Sequence, residues 1–264
     1  MHDSPKRIAF HVAYDGTAYH GWQRQPSGLN TIQGTLDAAL SDLLKQPVSV
    51  DGASRTDAGV HARDQLAAVT YTHPMPAKGL VKALNTRLPD DIAVRHGVQV
   101  AGDFNPRFAN QGKTYCYRFY EGPVRRPLID RFAWRVGWTL DLPAMTEAGQ
   151  ALVGTHDFTS FAASDGSHQS AERTIHRLHV DRGPWGTVEL VVEGKAFLKQ
   201  MVRNIAGTLL EVGRGHRPPT WVADALAAHS RSAAGPTAPA CGLVLEKMHL
   251  EGPLAESGPA FGLI

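Results

Sequence analysis

An aspartate stands on a glycine-flanked bend in GASRTDAGVHARDQ, residues 52–65. Asp57 follows Arg55 and Thr56 and precedes Ala58 and Gly59. Small residues beside a carboxylate leave room for a substrate, and an arginine two positions away can keep it ionised and oriented. A carboxylate held this way can act as a nucleophile or as a general base. The same residues also suit an acid that caps a turn or pairs with a surface arginine, and residue chemistry alone leaves both readings open. Asp64 is the next carboxylate, seven residues on and past His61 and Arg63. The two-carboxylate arrangement of a glycosidase is therefore unsupported.

Other chemistry is poorly served. The chain has 13 histidines, but the clearest pair, His176 and His179, sits in a strand pattern that points the two to opposite faces. Cys116 and Cys241 cannot make a disulfide framework or a four-cysteine zinc site. No bound metal is expected. Neither a P-loop nor a Gly-x-Gly-x-x-Gly turn is present, so no nucleotide cofactor is expected either.

The charge distribution suits nucleic acid without requiring it. The net charge is only +2, yet the basic residues are concentrated. From Asp103 to Arg135, Arg107, Lys113, Arg118, Arg125, Arg126, Arg131 and Arg135 stand against three acids, with Phe108, Tyr115, Tyr117, Phe119 and Tyr120 interleaved. Between Glu193 and Arg217 five basic residues stand against two acids. Basic groups neutralise phosphates and aromatic faces accept unstacked bases. A solvated face over ordinary core aromatics is the plain alternative.

With 264 residues, 42% hydrophobic and 20% charged, the chain is long enough to bury a sizeable core and too apolar to be disordered. No apolar run approaches the ~20 residues of a membrane span. The first residues hold no signal-peptide core, and a cytoplasmic location is expected.

The elements that must position Asp57 follow from periodicity. RIAFHVAYDG alternates as a strand, and Thr31 is placed to cap a helix through Leu44 that carries Leu36, Leu40, Leu43 and Leu44 on one face. VSVDGAS and DQLAAVTYTH read as strands, KGLVKALNTRLPD as a helix stopped before Pro89, and IAVRHGVQV as a strand. This β-α-β-β-α-β order is that of a split βαβ, ferredoxin-like unit. The second half repeats the alternation. KTYCYRFYEG, TIHRLHVDRG, TVELVVEGK and CGLVLEKMHLE read as strands, and AMTEAGQALVG, FLKQMVRNIAGTLLEVG and TWVADALAAH as helices. The expectation is an α+β protein of two related lobes with an interlobe cleft, divided near residue 102 into spans 1–102 and 103–264.

Several of these blocks together resemble a known family. YDGTAYHGWQRQP, TIQGTLDAAL, GASRTDAGVHA, KTYCYRFY, GTHDFTSF and FLKQMVRNIAGTLLEVG occur in the order and at the spacings of the tRNA pseudouridine synthase A family. The resemblance runs from about Ile8 to Leu250. It implies the pseudouridine synthase fold, with two ferredoxin-like lobes and antiparallel sheets flanking a positively charged active-site cleft. It also implies a cofactor-free homodimer that isomerises uridine to pseudouridine at positions 38 to 40 of tRNA, in the anticodon arm. Asp57 matches the essential aspartate, Tyr115 the tyrosine that packs on the target uracil, and Arg203 the basic residue that pairs with the aspartate. Arg55 matches an arginine that holds the flipped nucleotide, and Thr56 beside it is grouped with the substrate-binding residues. Two departures stand out: Cys116 replaces an arginine between the tyrosines, and FNPRF replaces the commoner Phe-His-Ala-Arg sequence. A non-catalytic RNA-binding module and an Asp-based N-glycoside hydrolase are the competing readings.

Overall fold

The computed structural model describes residues 4–26, 28–166 and 169–255. They form two compact units. One comprises the chain up to Gln111 and from Leu245 onward, and the other is Gly112–Val244.

The first unit contains β1 (Lys6–Tyr14), α1 (Ile32–Leu44), β2 (Val50–Gly52), β3 (His61–Tyr71), α2 (Ala77–Asn85) and β4 (Ile92–Val100). β1 runs antiparallel between β4 and β3, and β2 pairs with β3 from Val50↔Val69 to Gly52↔Ala67. This is the split βαβ arrangement expected from the order of elements. α1 begins as its sequence predicts, with the Thr31 hydroxyl accepting the Gly34 N–H at 3.2 Å. Ile32, Leu36, Leu40 and Leu44 are buried at four-residue spacing, each burial contributing about 2 kcal/mol. Leu43 is only half-buried, at the border of that stripe. α2 stops at Asn85, short of Pro89, because the Asn85 side chain turns to β4. Its amide donates to the Val94 carbonyl at 2.7 Å and accepts the Val94 N–H at 2.8 Å, taking the place of a strand neighbour.

The second unit contains β5 (Gly112–Glu121), β6 (Trp134–Val136), α3 (Leu142–Gln150), β7 (Gly154–Asp157), β8 (Glu172–Arg182), β9 (Thr187–Gly194), α4 (Met201–Gly213) and α5 (Trp221–Ala227). Its antiparallel order is β5-β9-β8-β7, and β6 lies parallel to the end of β5. β6 and β7 have three and four residues, too short to leave a period in the sequence. α4 starts at Met201, not at Phe197 as the apolar pattern predicts. Gln200, at φ 60°, breaks the run in the left-handed region.

The last strand, β10 (Leu243–His249), neighbours β3 and closes the first unit. The Met248 N–H donates to Asp64 Oδ2 at 3.1 Å, Arg63 pairs with Glu246 at 3.0 Å, and the Gln111 N–H donates to the His249 carbonyl at 2.8 Å. Alternation in the sequence places a boundary near residue 102, whereas the units divide at Gln111. Part of the intervening stretch is held by Arg7, whose Nε donates to the Phe104 carbonyl at 2.6 Å. Of the expected second span, residues 256–264 lie outside the described residues. No described helix is long and apolar enough to cross a membrane.

Candidate active site

Asp57 lies on the connection from β2 to β3, and the backbone around it is tied down on several sides. The Ala53 N–H donates to the Leu66 carbonyl at 2.9 Å. The fully buried Gln65 side chain accepts the Ser54 N–H at 3.1 Å and donates to the Ser54 carbonyl at 2.6 Å. The Trp22 N–H donates to the Thr56 carbonyl at 3.1 Å, the Gly59 N–H to Tyr19 at 3.2 Å, and the Val60 N–H to Asp57 at 3.1 Å. Each satisfied bond removes a way for the turn to relax. The outcome is a half-buried Asp57 between an exposed Arg55 and an exposed Ala58.

Thr56 faces inward. It is 7% exposed, and its hydroxyl shares a 2.8 Å hydrogen bond with the Tyr14 hydroxyl. Its side chain thus anchors the bend to β1.

The loop from Asp15 to Trp22 backs the bend closely enough to require glycine twice. A Cβ on Gly21, which sits at φ +90°, would lie 2.6 Å from the Thr56 carbonyl oxygen. One on Gly16 would lie 2.0 Å from the Val60 carbonyl oxygen. The Gly16 N–H donates to Nδ1 of the buried His61 at 3.1 Å. That same nitrogen is 3.1 Å from Asp15 Oδ1, so the tautomer of the ring decides which partner it serves. Burial alone would push the Asp15 carboxyl up, but hydrogen bonds from His61 and Thr17 outweigh it and hold the group well below the usual carboxylate range.

α1 in turn fixes both the backing loop and β2. Its Ile32 and Gln33 N–H groups donate to the Gly21 and Trp22 carbonyls at 3.2 and 2.9 Å. Gln33 donates from its amide to the Val50 carbonyl, and Asp37 accepts the Val50 N–H, both at 2.8 Å. Both polar groups of the Val50 backbone therefore end on one helix. Neither Gln33 nor Asp37 was singled out from the sequence, though two polar residues beside Leu36 and Leu40 on a buried stripe are a readable signal.

The second unit holds the other candidates. Tyr115 on β5 is 6% exposed, with its ring edge-on to Phe197 at 5.2 Å between centroids and 84° between planes. Its pairing opposite Val192 fixes its register. Arg203 is half-buried on the first turn of α4. Its Nε donates to the Ala238 carbonyl at 2.7 Å, which aims the guanidinium. Close by, Tyr117 donates to the Pro239 carbonyl at 2.8 Å, and burial pushes its hydroxyl far up. Cys116 is 2% exposed, so this departure from the family pattern puts a small apolar group in the interior. Asp57, Arg55 and Thr56 therefore belong to one unit, and Tyr115 and Arg203 to the other.

A family model for tRNA pseudouridine synthase matches residues 11–109 and 148–249. The tRNA pseudouridine synthase A of Myxococcus xanthus is 47% identical over 252 residues, covering 95% of each chain. The proteins of the same name from Syntrophotalea carbinolica and Geobacter sulfurreducens are 44% and 43% identical. The first alignment covers 89% of this chain and 92% of that relative, the second 92% and 99%. Among solved structures, a Cbf5-Nop10-Gar1 complex is similar at 13% identity and a TM-score of 0.32, covering 86% of this chain and 60% of that one.

Proposed function

This chain belongs to the tRNA pseudouridine synthase A family, and on that premise we propose that Asp57 is its catalytic carboxylate. The enzyme is an isomerase that converts uridine to pseudouridine in tRNA. The reaction breaks the N1–C1′ bond, turns the uracil and rejoins it through C5, with the proton from C5 released and one gained at N1. Uridine and pseudouridine are isomers at the same oxidation level, so the conversion needs no oxidant or reductant. A stacked uridine must first leave its helix, at a cost of a few kcal/mol.

The observation that carries the reading is the contrast at the bend. The backbone of residues 53–60 is pinned by the Asp15–Trp22 loop, β1 and β3, while Asp57 keeps part of its surface open to solvent. A preorganised carboxylate costs little reorganisation when it attacks or removes a proton. In the same proposal Arg55 holds the flipped nucleotide, while Thr56, grouped with it from the sequence, turns its side chain inward to Tyr14 and holds the bend instead. Tyr115 packs on the uracil, and Arg203 pairs with the aspartate. The substrate uridines are those at positions 38 to 40 of the anticodon arm, and the enzyme works as a homodimer.

Release of tritium from tRNA labelled at uridine C5 is the test. The wild-type chain releases it and leaves no abasic site, which separates isomerisation from base hydrolysis. Asp57→Asn abolishes release while tRNA binding stays within roughly tenfold, about 1.4 kcal/mol. Retention of one percent of the single-turnover rate by that variant would rule out a nucleophilic or basic role. Mapping the products along the tRNA checks the positions, and sedimentation checks the dimer.

A further inference from the structure

Arginines and exposed apolar side chains meet beyond the end of β5. Residues 122–136 carry Arg125, Arg126, Arg131 and Arg135 against a lone acid, Asp130. Val124 is 73% and Leu128 95% exposed, and Trp185, in the turn between β8 and β9, is 54% exposed. Arg126 ties this stretch to the turn that carries Trp185. Arg126 Nη1 donates to the Trp185 carbonyl at 3.1 Å, with its guanidinium 5.3 Å from the centre of the Tyr120 ring. Arg125 pairs with Asp130 at 2.6 Å, yet its side chain stays 77% exposed. Asp130 also accepts the Tyr120 hydroxyl, and Arg135 donates to the Pro123 carbonyl at 2.8 Å.

Trp185 itself is held in an unusual way. Its backbone sits at φ 55°, ψ 25°, a left-handed conformation that bulky residues adopt only under constraint. Trp138 and Trp221 lie under the guanidinium groups of Arg214 and Arg217, at 4.8 and 5.0 Å. Among the described residues no ring or guanidinium covers the Trp185 indole.

We infer that Trp185, Arg125 and Arg126, flanked by Val124 and Leu128, form an accessory RNA-binding surface. An unpaired base of the tRNA stacks on the indole, and the adjoining phosphates meet the two arginines. An exposed aromatic face accepts any base, and guanidinium groups neutralise the backbone beside it. A second copy of this chain fits less well. A two-fold contact on this patch would gather the four arginines and one aspartate of each copy into a single, strongly positive interface. The inference rests on the chain being a tRNA-modifying enzyme, but every residue in it belongs to the second unit and none is assigned to the chemistry.

Four full-length chains test it: wild type, Trp185→Ala, Trp185→Phe and Arg125→Ala/Arg126→Ala. Affinity for an unmodified tRNA transcript is read by fluorescence anisotropy across a salt series, alongside single-turnover rates and sedimentation. Trp185→Ala weakens binding about tenfold without altering the salt slope, and Trp185→Phe restores most of the loss. The double arginine variant flattens the slope of log affinity against log salt by about two. In each variant the rate at saturating tRNA holds and the half-saturating concentration rises. Wild-type affinity in Trp185→Ala overturns the inference, as does a weakened self-association with tRNA binding intact. If wild type binds tRNA through this surface but releases no tritium, the surface stands and the isomerase assignment falls.

Discussion

Arg203 and Ala238 hold each other in both directions. Arg203 Nε donates to the Ala238 carbonyl at 2.7 Å, and the Ala238 N–H donates to the Arg203 carbonyl at 3.1 Å. Ala238 is steadied in turn by Arg231. Its Nη1 reaches the Gly235 carbonyl at 2.8 Å, and its Nη2 reaches Asn204 Oδ1 at 3.1 Å and Thr237 Oγ1 at 3.0 Å. Lysine keeps the charge but cannot bridge these acceptors with a planar fork. Arg231→Lys is expected to lower the single-turnover rate about tenfold while tRNA affinity changes less than threefold. An unchanged rate in a variant that merely melts earlier would leave Arg231 as a structural strut with no influence on Arg203.

Gly21→Ala tests the support of the bend. The new methyl must push the Thr56 carbonyl away and accept a positive φ, which costs about 1–2 kcal/mol for the backbone alone. A melting temperature lower by about 3 °C or more is expected, with a rate loss greater than the loss in affinity. Full activity in a destabilised variant would show that the position of Asp57 tolerates movement of the loop behind it.

Tyr115→Phe and Tyr115→Leu separate the ring from the hydroxyl. Phe keeps the face and the edge contact with Phe197, so tRNA binding stays near wild type, but turnover falls if the hydroxyl handles a proton. The expected pattern is good binding and poor turnover for Phe, with both impaired for Leu. Early melting in both variants, with normal rates in the folded fraction, removes Tyr115 from the site.

Asp64 predicts a pH dependence of stability. Burial alone would push its carboxyl up, but hydrogen bonds from His11 and Met248 and the charge of Arg95 outweigh this and leave it below its ordinary value of 3.8. A depressed carboxyl stabilises the fold above its unfolded pKa, and that contribution is lost as the pH falls through the folded one. Asp64→Asn is expected to cost about 3 kcal/mol at pH 7, because it strips a buried ion pair of one partner. The gap from wild type should shrink as the pH drops below 3.8. Urea melts at several pH values read this directly, and a gap independent of pH contradicts it.

Much of the first unit was legible because its signals are local. A Thr31 cap, a leucine stripe and alternating β-branched runs specify elements without reference to the rest of the chain. What escaped the sequence depends on distant partners. The start of α4 at Met201 is set by a left-handed Gln200 that no propensity announces. The inward turn of Thr56 depends on Tyr14, 42 residues away. The bend around Asp57 was readable as chemistry from its residue types. Its rigidity comes from Gly16, Gly21, Gln33 and Gln65, which become meaningful only once the backing loop and α1 are in place.

The return of β10 to the first unit bears on the order in which the protein can be made. Ribosomes deliver β1 to β4 long before Leu245 emerges, and nascent chains tend to fold from the N-terminus as they appear. Until then the β3 edge that β10 will occupy stays open, the Asp64 carboxylate lacks its Met248 donor, and Arg63 lacks Glu246. An open edge is a template for unwanted strand pairing. The half-made chain is therefore most at risk while Gly112–Val244 is being synthesised, and the first unit is completed only by nearly the last residues that the structure describes.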